Sequence, residues 1–383
     1  METLADWYGL KDGHEDFWVQ NDEDASLLFA RAQLDEQLQV IVRKSFRTQS
    51  PPKFVLYGVW GVGKTHTLRH IGFVIEHTPD YNGYVVFKEL PDIKKNSTFQ
   101  VAHAALLDAL GLDVVKSWMV QFQTKHQSDS QQIIQTMTQS GDIARAFTSL
   151  IGYGDTARIC WDWLRGVPLS AADARSAGLP PSLDQSTQLV SVLRMLGRLS
   201  HDVEGKILIF MIDEAYKLKE VTDGAAIGHW LNAFRLLADR GTKEVGILIS
   251  ASHADVEEMA DSLKDVQVRS RFGESHYIFL QPLGPDETAE FLRGLLGEWI
   301  DPAKRKERVT AYQGEADGES VTDATFPFTQ KAFNRFIEWT TRNGGVTNPR
   351  DIQHDLDDIL NRAIDSGRHL VSAKYLDKLF AQG

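Results

Sequence analysis

The chain has 383 residues, 42% of them hydrophobic and 25% charged, with 41 basic against 53 acidic side chains and a formal charge of -12. Such a length exceeds one typical compact domain, and the balance is that of a soluble globular protein rather than a disordered or fibrous one. No run approaches the roughly 18 apolar residues that a bilayer crossing needs. The first residues lack the basic-then-apolar order of a secretory signal, and the single cysteine, Cys160, excludes an intrachain disulfide or a cysteine metal cluster. A cytoplasmic location with no membrane partner is the expectation. An acidic chain repels a phosphate backbone on average, so nucleic-acid binding would need a locally basic surface. Two short basic stretches, Arg43–Lys53 and Lys304–Arg308, read first as solvated faces.

In chain order, residues 1–50 read as an N-terminal segment, helical from Ala25 to Phe46, where Leu27, Leu28, Leu34, Leu38, Ile41 and Val42 recur at near-helical spacing. Ser50-Pro51-Pro52 breaks that helix. Phe54–Tyr57 is a short apolar run of strand type, followed by glycines and a helix from Lys64 to His77. Tyr84–Phe87 predicts a second strand, and Ser97-Thr98 predicts a cap for a helix over Phe99–Leu110 that Gly111 closes. Further strands are expected at Ile207–Ile212, Val245–Ser250 and Tyr277–Leu280, with a helix over Ala225–Asp239. Apolar strands alternating with helices predict an α/β fold: a parallel sheet covered on both faces, a three-layer core over 51–283. The stretch 112–204 shows helical patterns near Ile143–Leu150 and Gln185–Leu199 and reads as a helical insertion. Residues 284–383 turn wholly helical, with candidates at Pro285–Leu296, Gln330–Asn343, Pro349–Asp365 and Ala373–Phe380, and read as a lid subdomain.

Two segments carry chemistry. Gly58-Val59-Trp60-Gly61-Val62-Gly63-Lys64-Thr65, followed by His66, fits G-x-x-x-x-G-K-[ST] at every fixed position and lies between a strand and a helix. Glycines let such a loop wrap so that main-chain N–H groups face phosphate oxygens, and the following helix aims its positive end at the same anion. Lys64 would bridge the β- and γ-phosphates of ATP, and the Thr65 hydroxyl would ligate Mg²⁺. Trp60 is unusual in such a loop and reads as a packing residue. The second segment, Lys206–Glu214, is a buried strand ending in two acids. Asp213 would hold the Mg²⁺ through its water shell, and Glu214 would polarise the attacking water, which argues for hydrolysis rather than storage of nucleotide.

These residues, with three later features, resemble the AAA+ P-loop ATPases, and within them the initiator and transposition-regulator branch. The resemblance runs from Phe54 to about Leu360. It implies a first sensor at the end of Gly246–His253, where Ser252 and His253 both qualify. It implies an arginine finger reaching a neighbouring subunit's ATP in Val268-Arg269-Ser270-Arg271-Phe272-Gly273, with Arg271 as the first choice and Arg269 as the second. In Gly344-Gly345-Val346-Thr347-Asn348-Pro349-Arg350 it implies a second sensor at Arg350, opening a helix. The long interval from Lys64 to Asp213 departs from the pattern. Within it, Trp161-Asp162-Trp163-Leu164-Arg165-Gly166 is similar to a segment of prokaryotic ATPases from phage-defence clusters, including the BREX-type group; a packed Trp-rich helix is the other reading.

The resemblance leaves the motor's target open between classes. A homo-oligomer assembled by ATP that handles double-stranded DNA for a mobile-element or defence system would place Lys94 and Lys95, after the second strand, near the DNA backbone. It would recruit a separately encoded effector, nuclease or transposase. A peptide-threading unfoldase would need an aromatic in the Lys88–Lys95 loop, which has none. A nucleotide-gated signalling switch controlling a separate effector is the alternative; a small-molecule kinase would need neither Arg271 nor Arg350.

Overall fold

Five short apolar runs form one sheet. The computed structural model describes residues 3–19, 22–152, 154–239, 241–342 and 344–381. The strands are β1 (Lys53–Gly58), β2 (Gly83–Glu89), β3 (Ile207–Asp213), β4 (Val245–Ser252) and β5 (Tyr277–Phe279). They pair in the order β2-β3-β4-β1-β5, every pair parallel. All the strand ends that follow in the chain direction therefore lie along one edge, where Gly58, Asp213 and Ser252 terminate β1, β3 and β4. Ligands of open α/β sheets bind at that edge.

By its contacts the chain divides into two compact units: residues 37–58 with 68–279, and residues 1–36, 59–67 and 280–383. The first, the sheet unit, has three layers. On one face Leu208, Phe210, Ile212, Ile247 and Ile249 join Leu106, Leu193 and Phe234 in one core, so the helices Gln100–Leu110, Ser186–Glu204 and Gly224–Ala238 cover that side. On the other, Met211 lies against Gly72 of the helix that continues to His77. Side chains alternate along a strand, so Asp213 shares the face of Met211, away from the larger core. Close approach fixes one glycine here: a Cβ at Gly197 would collide with the main-chain oxygen of Glu244.

The stretch from Leu112 to Glu204 is helical throughout its regular structure among the described residues, with long helices at Leu112–His126 and Ser186–Glu204. It extends the same core with Trp118, Phe122, Phe147, Trp161 and Trp163, so the Trp161–Gly166 segment is packing in this structure. The second, helical unit comprises Leu4–Tyr8, Pro285–Trp299, Pro302–Ala311, Gln330–Thr340, Pro349–Asp365 and Ala373–Phe380 around Phe17, Trp299, Phe326, Phe336 and Leu360. Asn343, expected at the end of the Gln330 helix, lies outside the described residues. The basic run Lys304–Arg308 is only partly a solvated face. Arg305 donates to the main-chain oxygens of Leu296, Gly297 and Ile300, closing the C-terminal end of the preceding helix, and Arg308 donates to that of Asp6.

Two local expectations fail for identifiable reasons. The N-terminal helix starts at Ala32, not Ala25, because Ala30 adopts a left-handed φ of 55° and residues before it form turns. Ser97 does not cap the next helix: its hydroxyl accepts from the N–H of Lys94 instead, and the helix begins at Gln100 without a side-chain cap. No described helix is long and apolar enough to cross a membrane.

Candidate nucleotide site

In the helical unit, the loop 59–63 turns through two left-handed glycines, Gly61 at φ 82° and Gly63 at φ 97°. Space beside Gly63 is open, where a Cβ would point; only glycine keeps that concavity and that backbone. The helix then starts at Lys64. Thr67 secures its first turn, the N–H and hydroxyl both donating to the Gly63 oxygen at 2.9 Å. Lys64 is buried, its ammonium donating to the Val59 oxygen at 2.8 Å, so the charge lies over the loop it belongs to. Thr65 is half-buried at the second helical position.

Two neighbours of this loop leave no motif in the sequence. Arg31 donates to the Val62 oxygen at 3.3 Å, and the His66 Nε2 lies 2.6 Å from the Leu27 oxygen. Burial lowers the Arg31 pKa, against which Glu287 pulls it up. Both contacts span more than thirty residues of chain, which explains their silence in local pattern. At the other end of the unit, Arg350 opens the Pro349–Asp365 helix, with Pro349 in the first turn. Its guanidinium carbon lies 5.2 Å from the Trp60 ring centroid, and its N–H points to the Gly61 oxygen at 3.4 Å. Trp60 is therefore not a buried packing residue; it is 54% exposed.

In the sheet unit, Asp213 ends β3 with 2% exposure. Its Oδ1 accepts from the Glu214 N–H at 2.8 Å and from the Ser250 hydroxyl. Oδ2 is buried and has no hydrogen-bond partner among the described residues. One oxygen is thus held and the other is left bare, at a cost of roughly 1–3 kcal/mol for an unsatisfied buried acceptor. A hydrated cation satisfies such an atom, and a hard carboxylate oxygen of this kind suits Mg²⁺, which usually takes one or two carboxylates and completes its shell with water and phosphate. The Asp213 carboxylate, taken by itself, therefore fits the metal. Ser250 was not expected from sequence, although the first hydroxyl in the apolar run of β4 was a usable signal: register places Ile249 beside Ile212, so Ser250 falls beside Asp213.

Glu214 follows in a left-handed conformation, φ 59°, and its carboxylate pairs with the Lys217 ammonium at 2.5 Å. Lys217 also donates to the Leu90 oxygen at 2.8 Å. Burial lowers the Lys217 pKa, and the hydrogen bond and charge of Glu214 more than reverse this, for a net rise. Ser252 ends β4 opposite Gly58, half-buried, and His253 beyond it is buried. Arg269 and Arg271 lie on the short helix Val266–Phe272 rather than a loop. Arg269 is tied to Glu257 at 3.4 Å and Glu274 at 2.6 Å; Arg271 makes a longer contact to Asp239 at 3.5 Å and is the more exposed. Lys94 and Lys95 are exposed on the loop after β2, whose Lys95 oxygen accepts from the N–H groups of Thr222 and Asp223. Of the sequence-predicted residues, Val59–His66 and Arg350 thus belong to one unit, and Gly58, Lys94, Lys95, Asp213, Glu214, Ser252, His253, Arg269 and Arg271 to the other. A cavity of about 410 Å³ lined by Trp339, Arg342, Asp355 and Arg362 includes none of them.

The fold and the loop define a class, a three-layer P-loop NTPase core with a helical insertion and a helical C-terminal part. No family model matches the sequence, and no curated protein matches it. Among solved structures the chain is similar to the Orc1 protein of Aeropyrum pernix in complex with DNA, at 13% identity over 93% of this chain and 66% of that one, with a TM-score of 0.45. It is similar to Cdc6p of Pyrobaculum aerophilum at 14% identity, 92% and 68% coverage and a TM-score of 0.46. A third is the Aeropyrum pernix ORC2 protein in ADPNP–ADP complexes, at 13% identity, 93% and 69% coverage and a TM-score of 0.49. The chain thus spans about two thirds of the length of these proteins, and the functional reading rests on its own residues.

Proposed function

We propose that the chain is an ATP-binding and ATP-hydrolysing AAA+-type protein that oligomerises through shared ATP sites. In this reading it acts as a DNA-associated regulator or adaptor of a mobile-element or anti-phage defence system. The observation that carries the hydrolytic part is the split environment of Asp213: one oxygen fixed by Ser250 and the Glu214 amide, the other buried and bare at the ligand-binding edge of the sheet. Main-chain amides of 58–66 and the start of the Lys64 helix would cradle the phosphates, and Lys64 would neutralise charge on the terminal ones. When bound, Mg²⁺ would offset charge developing on the phosphoryl oxygens. Thr65 and Asp213 would hold it, and Glu214 would orient and deprotonate the attacking water. Ser252 or His253 would contact the terminal phosphate, and Arg271, with Arg269 as second choice, would reach a neighbouring subunit's site.

The test separates a shared site from a self-contained one. Arg271→Ala and Lys64→Ala subunits should each be inactive alone and recover part of the wild-type phosphate release when mixed. Absence of any recovery at concentrations where the wild type assembles would remove the shared-site claim. Full activity of Arg271→Ala alone would favour a kinase-like or switch-like protein. The second reading, a nucleotide-gated switch for a separately encoded effector, is favoured by the Lys217–Glu214 pair, which holds the proposed base in check.

A further inference from the structure

The phosphate-loop motif leaves the residue at position 60 unspecified, and a large half-exposed indole there buries little apolar surface. What it meets is a cation. The Arg350 guanidinium stands over the ring at 5.2 Å, within the distance at which an aromatic face attracts a cation. The same turn of helix approaches the loop twice more. The Arg350 N–H points to the Gly61 oxygen at 3.4 Å, and a Cβ at Gly61 would stand 3.3 Å from the Cβ of Arg350. Gly61 is left-handed as well, so both its backbone and its lack of a side chain permit the approach. The Pro349–Asp365 helix therefore presents one arginine, by both its main-chain N–H and its side chain, to the tip of the phosphate loop.

An indole holds a guanidinium without neutralising it. A phosphate oxygen takes the in-plane N–H groups while the ring keeps the guanidinium face, so the two contacts are made together. Held there in advance, the side chain loses less rotamer freedom on binding. We propose that Trp60 is a positioning residue that keeps Arg350 poised over the phosphate loop, so that the arginine discriminates a triphosphate from a diphosphate. This rests on the reading of the loop as an ATP site. Its consequence is selective: a diphosphate is held by the loop amides and Lys64 and gains little from Arg350, whereas the terminal phosphate gains most.

The experiment is calorimetric titration of the full chain with MgADP and with a non-hydrolysable ATP analogue. Wild type should prefer the analogue. Trp60→Ala should lower that preference about two- to fivefold, by weakening analogue binding while ADP affinity moves less than twofold. Trp60→Phe keeps a smaller aromatic face and should retain most of the preference. Arg350→Ala should abolish the preference, and adding Trp60→Ala to it should change nothing more. Preference intact in Trp60→Ala, or an equal loss on removing Trp60 with and without Arg350, overturns the inference while the ATP site stands. A wild-type chain that binds neither nucleotide, as Lys64→Ala should, overturns both.

Discussion

At the scale of single residues, the proposed Mg²⁺ ligand is the Asp213 carboxylate. Its two oxygens differ only in their neighbours: Ser250 and the Glu214 amide orient one, so the other is aimed and bare. Outer partners of this kind tune metal affinity by about 10- to 100-fold. Ser250→Ala should therefore raise the Mg²⁺ concentration for half-maximal ATP hydrolysis by about tenfold, with metal-free nucleotide affinity unchanged. An unaltered Mg²⁺ titration would show that the hydroxyl merely fills its place. Glu214 is held differently. Lys217 occupies its carboxylate at 2.5 Å and is itself anchored on the Leu90 oxygen, so the proposed base is engaged before any water reaches it. Glu214→Gln should keep nucleotide binding and lose hydrolysis by about 10²- to 10⁴-fold. Lys217→Ala should raise basal hydrolysis several-fold at unchanged nucleotide affinity. A fall in rate there would mean that the lysine supports the base rather than restraining it.

Elements differ in how openly they announce themselves. Strands β1, β3 and β4 are legible because burial on both faces makes them continuous apolar runs, and the loop after β1 because its glycines and lysine stand at fixed spacing. The start of the first long helix was not legible: helical spacing continues back to Leu27, and only the left-handed Ala30 breaks it. Arg31 and Leu27 were hidden for the same reason, since a contact with a loop thirty residues away has no local period. The Gln100–Leu110 helix carries another feature that pattern could not show. His103 is fully buried, its Nε2 bonded to the Leu164 oxygen at 2.8 Å and its Nδ1 without a partner among the described residues. Burial pushes its pKa down to about 4, against the hydrogen bond to Leu164. A lowered pKa means that the unfolded chain takes up the proton first. The stability this lends is complete above pH 6.5 and is lost as pH falls through 4, an effect of at most about 3 kcal/mol. His103→Gln keeps a donor for Leu164 and removes the titration. Its urea midpoint should vary less between pH 6.5 and 4 than that of the wild type. Parallel pH curves for the two proteins would place the acid sensitivity elsewhere.

For the whole molecule, the question is whether a chain of charge -12 can hold a polyanion at all. Averaged charge argues against it, so association with duplex must come from a few cations displayed apart from the acidic surface. The structure narrows which these are. Arg305 and Arg308 serve main-chain oxygens within the helical unit, and Lys53 is buried against the oxygens of Asp239 and Thr242, with burial lowering its pKa to about 8. These members of the two basic stretches are committed to the fold. Lys94 and Lys95 are not: both are exposed on a loop fastened at its main chain, with Leu90 gripped by Lys217 and the Lys95 oxygen by the Thr222 and Asp223 amides. These bonds join the loop to the segment that follows Asp213 and Glu214. If the pair contacts phosphates, duplex retention in the presence of ATP should weaken with salt, and Lys94→Ala with Lys95→Ala should flatten the dependence of log K on log salt by about two. The same double variant should lose any stimulation of hydrolysis by DNA while keeping its basal rate, because it leaves Glu214 and Lys217 in place. Retention that is absent at low salt with and without ATP would remove DNA from the proposal and leave the nucleotide-gated switch. Retention with an unchanged slope would move the contact to another surface.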